Sequence, residues 1–303
     1  MQVSLLEVGP RDGLQNESAL VPLADKIALV DRLTSAGCSR IEVSAFVSPK
    51  WIPQLADAAD VFAGITRKPG VRYSALVPNA KGLERAVVCN VDEVAIFAAA
   101  SETFSRKNIN QSIDESLVTY TEVIRGALAH GLRVRGYLST CFGCPFEGDV
   151  PLDRVVELTH RLLEMGVYEV AISDTIGVAH PGQVRTVLET LRARFGASEL
   201  AMHFHDTRGT ALANVLASLD FGLTTFDSSA GGLGGCPYAP GASGNLATED
   251  LLYMLRGLGY QTGIDLERVT EASSALEPTL DHRLPSRYVN AVRSLRPASS
   301  TRA

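Results

Sequence analysis

Two histidines that flank a single residue, together with one distant aspartate, are the side chains of this sequence best suited to binding a metal ion. His203 and His205 lie at the end of one short apolar run, and Asp12 follows another. Residues i and i+2 of a β-strand point to the same face, so the two imidazoles would point the same way. Two imidazoles and one carboxylate leave coordination positions open for a substrate. The pattern indicates a metal-dependent enzyme; the alternative is that both histidines only make structural hydrogen bonds.

The chemistry of the ligands indicates which metals would fit. Asn245 supplies a fourth candidate ligand, through an amide oxygen. A mixed set of oxygen and nitrogen ligands with open positions suits Mg2+ or Mn2+, with Fe2+ or Zn2+ as alternatives.

Short β-rich runs alternate with longer helical patterns along most of the chain, and these elements must position the candidate ligands. The predicted strands cover residues 3–8, 40–43, 72–77, 93–97, 133–138, 169–172, 200–204 and 225–228. The clearest predicted helices cover residues 23–36, 152–165, 181–195 and 210–221, and each is followed directly by a glycine, which typically ends a helix. Two further helices are predicted near the C-terminus, over residues 265–275 and 285–295.

Eight strand–helix units of about thirty residues each predict an α/β fold of the (β/α)8 TIM-barrel type with additional C-terminal helices. The rival is a doubly wound sheet, but the first strand leads into GPRDG, which lacks the glycine fingerprint expected there. We expect one TIM-barrel catalytic domain over residues 1–303. Within it, the barrel would cover about 1–260 and a C-terminal helical extension about 261–298.

In such a barrel the C-terminal ends of all strands meet at one mouth, so residues far apart in sequence become neighbours. Polar side chains lie near the C-terminal ends of six of the eight predicted strands or in the loops that follow them. Loops can solvate a charged group anywhere, so the signal is their common placement. The candidate mouth residues are Arg11, Asp12, Gln15, Glu42, Tyr137, Asp174, Thr175, His203, His205, Asp206, Cys236 and Asn245.

The segment 231–245, GGLGGCPYAPGASGN, is rich in glycine but matches neither a phosphate-binding loop nor a dinucleotide fingerprint. Dense glycine with flanking prolines predicts a mobile lid that approaches its ligand closely. Cys236 at its centre is a candidate catalytic thiol. The alternative is a flexible loop with an inert cysteine, because thiol reactivity depends on its surroundings.

The composition excludes several classes of partner. The net charge is −6 and no basic patch is interleaved with aromatic residues, which argues against nucleic acid. No apolar run could span a bilayer, so we expect no membrane partner. The chain enters a strand-like run directly, without a signal-like segment, so we expect a cytoplasmic location. Five cysteines, an odd count in a chain of this size, predict reduced thiols.

The motifs around these residues resemble the hydroxymethylglutaryl-CoA (HMG-CoA) lyase family, within the metal-dependent TIM-barrel lyases and condensing enzymes. The resemblance extends over residues 7–260, and its cysteine-containing glycine loop is the lyase-specific part. The matching motifs are VGPRDGLQN at 8–16, FVSPKW at 46–51, KNIN at 107–110, GCP at 143–145, SDTIG at 173–177, HFHDT at 203–207 and the loop at 231–245.

The resemblance implies a retro-Claisen cleavage of HMG-CoA to acetyl-CoA and acetoacetate, as in leucine degradation, by a homodimer that binds an acyl-CoA substrate. It implies that Arg11 polarises the thioester carbonyl and stabilises the enolate, and that Cys236 acts from the loop. The remaining implied roles are Mg2+ or Mn2+ binding by Asp12, His203, His205 and Asn245, acid–base chemistry by Glu42, Asp174 and His203, and substrate binding by Arg11, Gln15, Asn108 and Tyr137.

Two positions depart from the family pattern. Ala45 stands where members commonly carry serine, and Arg208 where they commonly carry tyrosine. Ala45 could alter contacts to the acyl group, so a lyase for another 3-hydroxy-3-alkylglutaryl-CoA or for citramalyl-CoA stays open. A condensing enzyme of the wider family is a further alternative, against which the Cys236 loop argues. The last alternative is a non-catalytic barrel that binds acyl-CoA.

Overall fold

The centre of the protein is a closed barrel of eight parallel strands in chain order. The computed structural model describes residues 1–235 and 244–295. Each strand pairs with the next, and β8 closes the barrel on β1, with Leu5 opposite Phe226. The strands are β1 (Ser4–Glu7), β2 (Arg40–Ala45), β3 (Arg72–Leu76), β4 (Glu93–Ala99), β5 (Arg133–Ser139), β6 (Glu169–Asp174), β7 (Leu200–Phe204) and β8 (Thr225–Ser228).

All eight predicted strands are confirmed, and the differences lie at their ends. β2, β4 and β6 each run two residues further at the C-terminal end than the sequence predicts. Those extra residues include Ser44 and Asp174, which are polar and which a sequence pattern assigns to a loop. Both lie in the paired region of the barrel, Ser44 opposite Ala75 and Asp174 opposite Phe204.

The helices surround the barrel and also follow the prediction closely. α1 ends two residues before Gly37, and α6 ends two residues before Gly166. These glycines have φ values of +98° and +104°. The left-handed conformation that ends these helices favours glycine. The helices are α1 (Leu23–Ser35), α2 (Ala58–Gly64), α3 (Ala80–Val88), α4 (Glu102–Ile109), α5 (Ile113–Ala129), α6 (Leu152–Glu164), α7 (Pro181–Arg192), α8 (Ala211–Leu219), α9 (Thr248–Gly257), α10 (Leu266–Ser274), α11 (Glu277–Leu280) and α12 (Arg287–Leu295).

The two predicted C-terminal helices are present and pack on the outside of the barrel: α10 lies against α1 and α12 against α9. The N-terminal end of α12 is fixed by a buried carboxylate. Asp250 accepts hydrogen bonds from Ser286 Oγ (2.9 Å) and from the backbone N–H groups of Arg287 (3.0 Å) and Tyr288 (2.7 Å). The extension is therefore joined to the barrel by polar contacts as well as by apolar packing.

Apolar residues form one large cluster between strands and helices and a smaller one inside the barrel. Four of the nine residues of the inner cluster are alanines, Ala45, Ala95, Ala171 and Ala201. Alternation along each strand gives these residues the inward positions.

Charged residues share the interior with these alanines. Arg135 on β5 is fully buried, and its guanidinium contacts Glu169 on β6 (2.7 Å) and Asp227 on β8 (2.8 Å). Because β5 and β8 are not neighbours, the pair of Arg135 and Asp227 crosses the interior. Arg40 on β2 crosses it in the same way to reach Glu169 (2.8 Å). We call Arg40, Glu93, Arg135, Glu169 and Asp227 the interior charge network.

Candidate active site

The first functional side chains are positioned by an unusual turn that follows β1. Residues Gly9–Gly13 form one turn of π-helix, closed by a hydrogen bond from Gly13 N to Val8 O (3.1 Å). Such turns are rare and occur often at functional sites. Gly13 cannot carry a side chain here, because a Cβ would lie 2.7 Å from Ser229 Oγ. The turn brings Arg11 and Asp12 to the mouth of the barrel.

The predicted metal ligands meet at this mouth. Candidate ligand atoms of Asp12, His203 and His205 all lie within 4.8 Å of one another. The imidazole rings of the two histidines have centroids 5.2 Å apart. Asn245 is next to them, and its Nδ2 donates to Asp12 Oδ2 (2.8 Å). The barrel thus joins residues that are more than 190 positions apart in the sequence.

The protonation states and the free atoms of this cluster fit a divalent cation. Burial alone would raise the pKa of Asp12, but the charge of Arg11 and the neighbouring histidines lower it to about 2. Burial and the neighbouring His203 lower the pKa of His205 to about 3, so this imidazole is neutral and its lone pair is available. His205 Nδ1 and Asn245 Oδ1 are buried without a hydrogen-bond partner among the described residues.

Arg11 lies beside this cluster and is itself buried. Its Nε donates to Glu42 Oε2 (2.5 Å) and its Nη1 to Asp12 Oδ1 (2.6 Å). Among the described residues Nη2 has no hydrogen-bond partner, so it can donate to an oxygen of a bound molecule. The second carboxylate oxygen of Glu42, Oε1, is buried and also has no partner there.

One cavity opens over these groups, and all four predicted substrate-binding residues, Arg11, Gln15, Asn108 and Tyr137, line it. Three of the proposed metal ligands, Asp12, His203 and His205, line it as well, whereas Asn245 does not. Gln15 Oε1 and the Tyr137 hydroxyl are buried without a partner in the described part of the chain. The complete lining is Arg11, Asp12, Gln15, Asn16, Phe97, Phe104, Asn108, Tyr137, Ser139, Ser173, Thr175, His203, His205 and Gly235.

Asp174 reaches the end of β6 as predicted, but its carboxylate is used by the following loop. Its oxygens accept hydrogen bonds from the backbone N–H groups of Val178 (3.0 Å) and Ala179 (2.8 Å). Ser173 and Thr175, on either side of it, line the cavity, whereas Asp174 is absent from the lining. Glu42 is absent from the lining too, but it contacts Arg11 directly, and Arg11 lines the cavity.

Cys236 lies outside the described residues, and only the two flanks of its loop can be placed. The flanks meet: Asn245 N donates to Gly234 O (3.1 Å), and Asn16 Nδ2 donates to Gly235 O (2.8 Å). Gly244 has a φ of +78°, and a Cβ there would lie 1.5 Å from Gly234 O, so this approach requires glycine. The predicted mobility of the loop and the role of Cys236 stay predictions.

Two buried carboxylates hold the start of the same loop. Glu7 accepts hydrogen bonds from Gly9 N, Ala230 N (both 2.8 Å) and Thr248 Oγ1 (2.6 Å). Glu249 accepts from Gly231 N (2.9 Å) and Ser273 Oγ (2.6 Å). No arginine or lysine pairs with either carboxylate among the described residues. Burial therefore raises the pKa of Glu7 to about 7 and that of Glu249 to about 8.

Sequence reasoning missed Asp227, which contacts a proposed metal ligand. Its Oδ2 lies 3.2 Å from His203 Nδ1, and it is held from the other side by Arg135. The alternation of inward and outward positions along β8 and β5 could have indicated both residues. A strand that places an arginine and then a tyrosine at inward positions, as β5 does with Arg135 and Tyr137, predicts a polar barrel interior.

A family model described as HMGL-like matches residues 2–276. The chain belongs to the HMGL-like family. A relative from Pseudomonas aeruginosa, a 3-hydroxy-3-isohexenylglutaryl-CoA/hydroxymethylglutaryl-CoA lyase, is 52% identical over 291 residues, which are 96% of this chain and 97% of the relative.

Solved structures of HMG-CoA lyases have the same fold as this HMGL-like chain. The Bacillus subtilis enzyme is 52% identical with a TM-score of 0.95, over 96% of this chain and 98% of that one. An Acinetobacter baumannii enzyme, solved with coenzyme A and 3-methylmalate, is 39% identical with a TM-score of 0.92, over 100% and 97% of the two chains. The TIM-barrel prediction and the resemblance are both confirmed.

Three further observations concern the cysteines, the helices and Ala45. Among the described residues, Cys38, Cys89, Cys141 and Cys144 are free thiols. In the part of the chain that is described, no helix has the length and apolar character to cross a membrane. Ala45 is buried in the inner apolar cluster and is not one of the described residues that line the cavity.

Proposed function

We propose that this protein is a divalent-metal-dependent carbon–carbon lyase that cleaves HMG-CoA to acetyl-CoA and acetoacetate. The observation that carries the proposal is the convergence of Asp12, His203 and His205 within 4.8 Å of one another, beside Arg11 in one cavity. The HMG-CoA lyase names of relatives about 50% identical over nearly the whole chain support this substrate.

Asp12, His203, His205 and Asn245 would hold the cation, and the donor set fits Mg2+ or Mn2+. When bound, such an ion acts as a Lewis acid that lowers the free energy needed to deprotonate the tertiary hydroxyl of the substrate. The buried, unpartnered Asn245 Oδ1 and His205 Nδ1 support the site, because such atoms are seldom left without a partner.

Arg11 would bind the thioester oxygen and stabilise the negative charge that develops there as the enolate forms. Its Nε and Nη1 are occupied by Glu42 and Asp12, which fix the guanidinium plane and leave Nη2 to face a ligand. Donors that are already oriented toward developing charge are among the most effective catalytic devices. Gln15, Asn108 and Tyr137 would complete the substrate pocket.

The acid–base roles follow from which atoms are still available. His203 Nδ1 faces Asp227, so only Nε2 remains, and that nitrogen cannot serve at once as a ligand and as a base. Burial raises the pKa of Glu42, although Arg11 opposes the shift, and its Oε1 is free to exchange a proton through water. We therefore propose Glu42 in the base relay, Cys236 as the group that protonates the enolate carbon, and Asp174 as the anchor of the β6–α7 loop.

Several finer expectations belong to the same proposal. We propose that residues 1–303 act as one catalytic domain, as a homodimer, on acyl-CoA substrates in a pathway such as leucine degradation. The cytoplasmic location stays a prediction from the sequence. The relative named for the isohexenyl substrate suggests that larger 3-alkyl groups also be tested, and Phe97 and Phe104 give the cavity an apolar wall for them.

A metal-supplemented assay of the purified protein tests the proposal. The substrates are HMG-CoA, 3-hydroxy-3-isohexenylglutaryl-CoA and citramalyl-CoA, and the products are measured as acetyl-CoA and the released keto acid. We expect cleavage of HMG-CoA that chelation abolishes and Mg2+ or Mn2+ restores. Acyl-CoA binding without cleavage would instead support a non-catalytic barrel, and condensation of acetyl-CoA with a 2-keto acid would support the synthase alternative.

A further inference from the structure

Asp227 and Arg135 form a chain of contacts that begins deep in the barrel and ends on His203. Asp227 is buried, and its two oxygens accept from Arg135 Nη2 (2.8 Å) and Nη1 (3.2 Å). The same Oδ2 that accepts from Nη1 lies 3.2 Å from His203 Nδ1. Arg135 is oriented in turn by Glu169, which accepts from its Nε (2.7 Å).

The hydrogen-bond chemistry of this chain leaves His203 one tautomer. A guanidinium offers only N–H donors, so a carboxylate that it binds through two nitrogens acts as an acceptor. An acceptor at Asp227 Oδ2 requires that His203 Nδ1 carry its proton. The lone pair of the neutral ring is then on Nε2, the nitrogen that remains to bind a metal ion.

The ring of His203 is also held from the side. Tyr137 packs edge-on against it, with ring centroids 6.1 Å apart at an interplanar angle of 83°. The Arg135 guanidinium lies over the Tyr137 ring, 4.8 Å from its centroid. Arg135 therefore supports His203 along two routes, one through Asp227 and one through Tyr137.

We propose that Asp227 and Arg135 are positioning residues that fix the tautomer and the orientation of His203, so that Nε2 presents its lone pair to the proposed metal site. This inference rests on the proposed function, but it concerns residues of the chain that can be tested without a metal ion. A purely structural role for the same pair is the alternative.

The substitution Asp227→Asn distinguishes the positioning role from a purely structural role. The amide oxygen is best placed toward Arg135, which turns the amide N–H2 toward His203 Nδ1. That nitrogen must then accept, and the proton moves to Nε2. Glu93→Gln is the matched control: Glu93 is an equally buried carboxylate of the interior charge network, and it contacts Tyr168 (2.7 Å) and Arg72 (3.4 Å) rather than His203 or Asp227.

The first measurement is 15N NMR of metal-free protein labelled only at its six histidines, with the His203 signal assigned by its loss in His203→Gln. We expect the Nδ1–H tautomer in the wild type and in Glu93→Gln, and the Nε2–H tautomer in Asp227→Asn. The second is the Mn2+ dissociation constant from electron paramagnetic resonance. We expect a rise of about 10- to 100-fold for Asp227→Asn and less than about threefold for Glu93→Gln.

An unchanged tautomer with an unchanged Mn2+ affinity in Asp227→Asn would overturn the proposal, as would equal losses in the two variants. If Asp227→Asn does not fold, Arg135→Lys takes its place, because an ammonium cannot hold both oxygens of Asp227. Wild-type values for both measurements in that variant also overturn it. If the wild type binds no Mn2+, the proposed function fails, whereas the NMR result still decides the positioning role.

Discussion

The interior and the mouth of the barrel both bury charged groups, but they satisfy them differently. In the interior, Glu169 is paired with two arginines, at 2.7 and 2.8 Å. At the mouth, buried polar atoms of Glu42, Tyr137, His205 and Asn245 have no partner among the described residues. Leaving such an atom unpaired costs about 1–3 kcal/mol. The interior thus satisfies nearly all of its charged groups internally, whereas the mouth leaves several polar atoms for ligands to satisfy, which is the pattern expected of an active site.

The two regions are not fully separate. Arg40 Nε is an unpartnered atom within the interior network, so the contrast is one of degree. Asp227 joins the regions, because it takes its charge partner from the interior and contacts His203 at the mouth. Measuring both the activity and the free energy of unfolding of each variant can therefore test where one region ends and the other begins.

The largest expected effect comes from removing a side chain to which the proposed function gives a direct part in the reaction. We expect His203→Ala and Cys236→Ala each to lower kcat by about 10²–10⁴-fold, since the first removes a proposed metal ligand and the second removes the proposed proton donor to the enolate carbon. Only His203→Ala is expected to weaken Mn2+ binding strongly. Steady-state kinetics and Mn2+ titration check this pair. Near-normal turnover in either variant would contradict the role given to that residue.

The next effect compares one substitution in the two regions. Arg11→Lys at the mouth is expected to lower kcat/KM by about 10²-fold, because an ammonium cannot reproduce the guanidinium geometry toward Glu42, Asp12 and an oxyanion. Arg40→Lys in the interior is expected to leave kcat/KM within about threefold. It should instead lower the free energy of unfolding by about 1–3 kcal/mol, because Glu169 loses hydrogen bonds from two guanidinium nitrogens.

Kinetics and urea unfolding of both variants measure this contrast. The distinction between the regions fails if Arg40→Lys loses activity as severely as Arg11→Lys while remaining folded.

A smaller effect concerns the pH dependence of stability, for which two buried carboxylates should have opposite signs: Glu169, paired with arginines in the interior, and Glu249, which holds the start of the loop without a cation. Burial without a cation raises the pKa of Glu249 to about 8, so this group favours the folded state at low pH. That contribution is lost as the pH rises from about 4.5 toward 8. Burial alone would raise the pKa of Glu169, but Arg135 and Arg40 lower it, so its contribution is present above about 4.5 and is lost on acidification.

Glu249→Gln and Glu169→Gln test these signs by urea unfolding across the pH range. Relative to the wild type, Glu249→Gln should gain up to about 4 kcal/mol of stability between pH 5 and 8. Glu169→Gln should be destabilised at pH 7, and its deficit should shrink below about pH 4.5. Parallel pH profiles for the two variants would show that the paired and unpaired carboxylates do not differ in this way.

Much of this architecture could be predicted from the sequence, because the strands and helices depend on local patterns. The positions of His203, His205 and Asp12 at strand ends could be predicted for the same reason, once a barrel was assumed. Asp227 and Arg135 could not, because their roles depend on contacts between β5 and β8 across the interior. The Asp174 carboxylate accepts hydrogen bonds from backbone amides of its own loop, and these bonds likewise depend on a local conformation that no sequence pattern specifies.

The smallest expected effect is at Ala45, where the sequence departs from the family pattern. This departure is the reason that other acyl-CoA substrates are considered. The residue is fully buried among apolar side chains inside the barrel, in the cluster that also contains Leu6 and Tyr137. Its influence on the cavity can therefore act only through a neighbour such as Tyr137. We expect Ala45→Ser to change the ratio of kcat/KM between HMG-CoA and the isohexenyl analogue by less than about fivefold, because the free energy of one buried hydroxyl is about 1 kcal/mol. A tenfold change in this ratio would show that the interior, and not only the mouth, selects the acyl group.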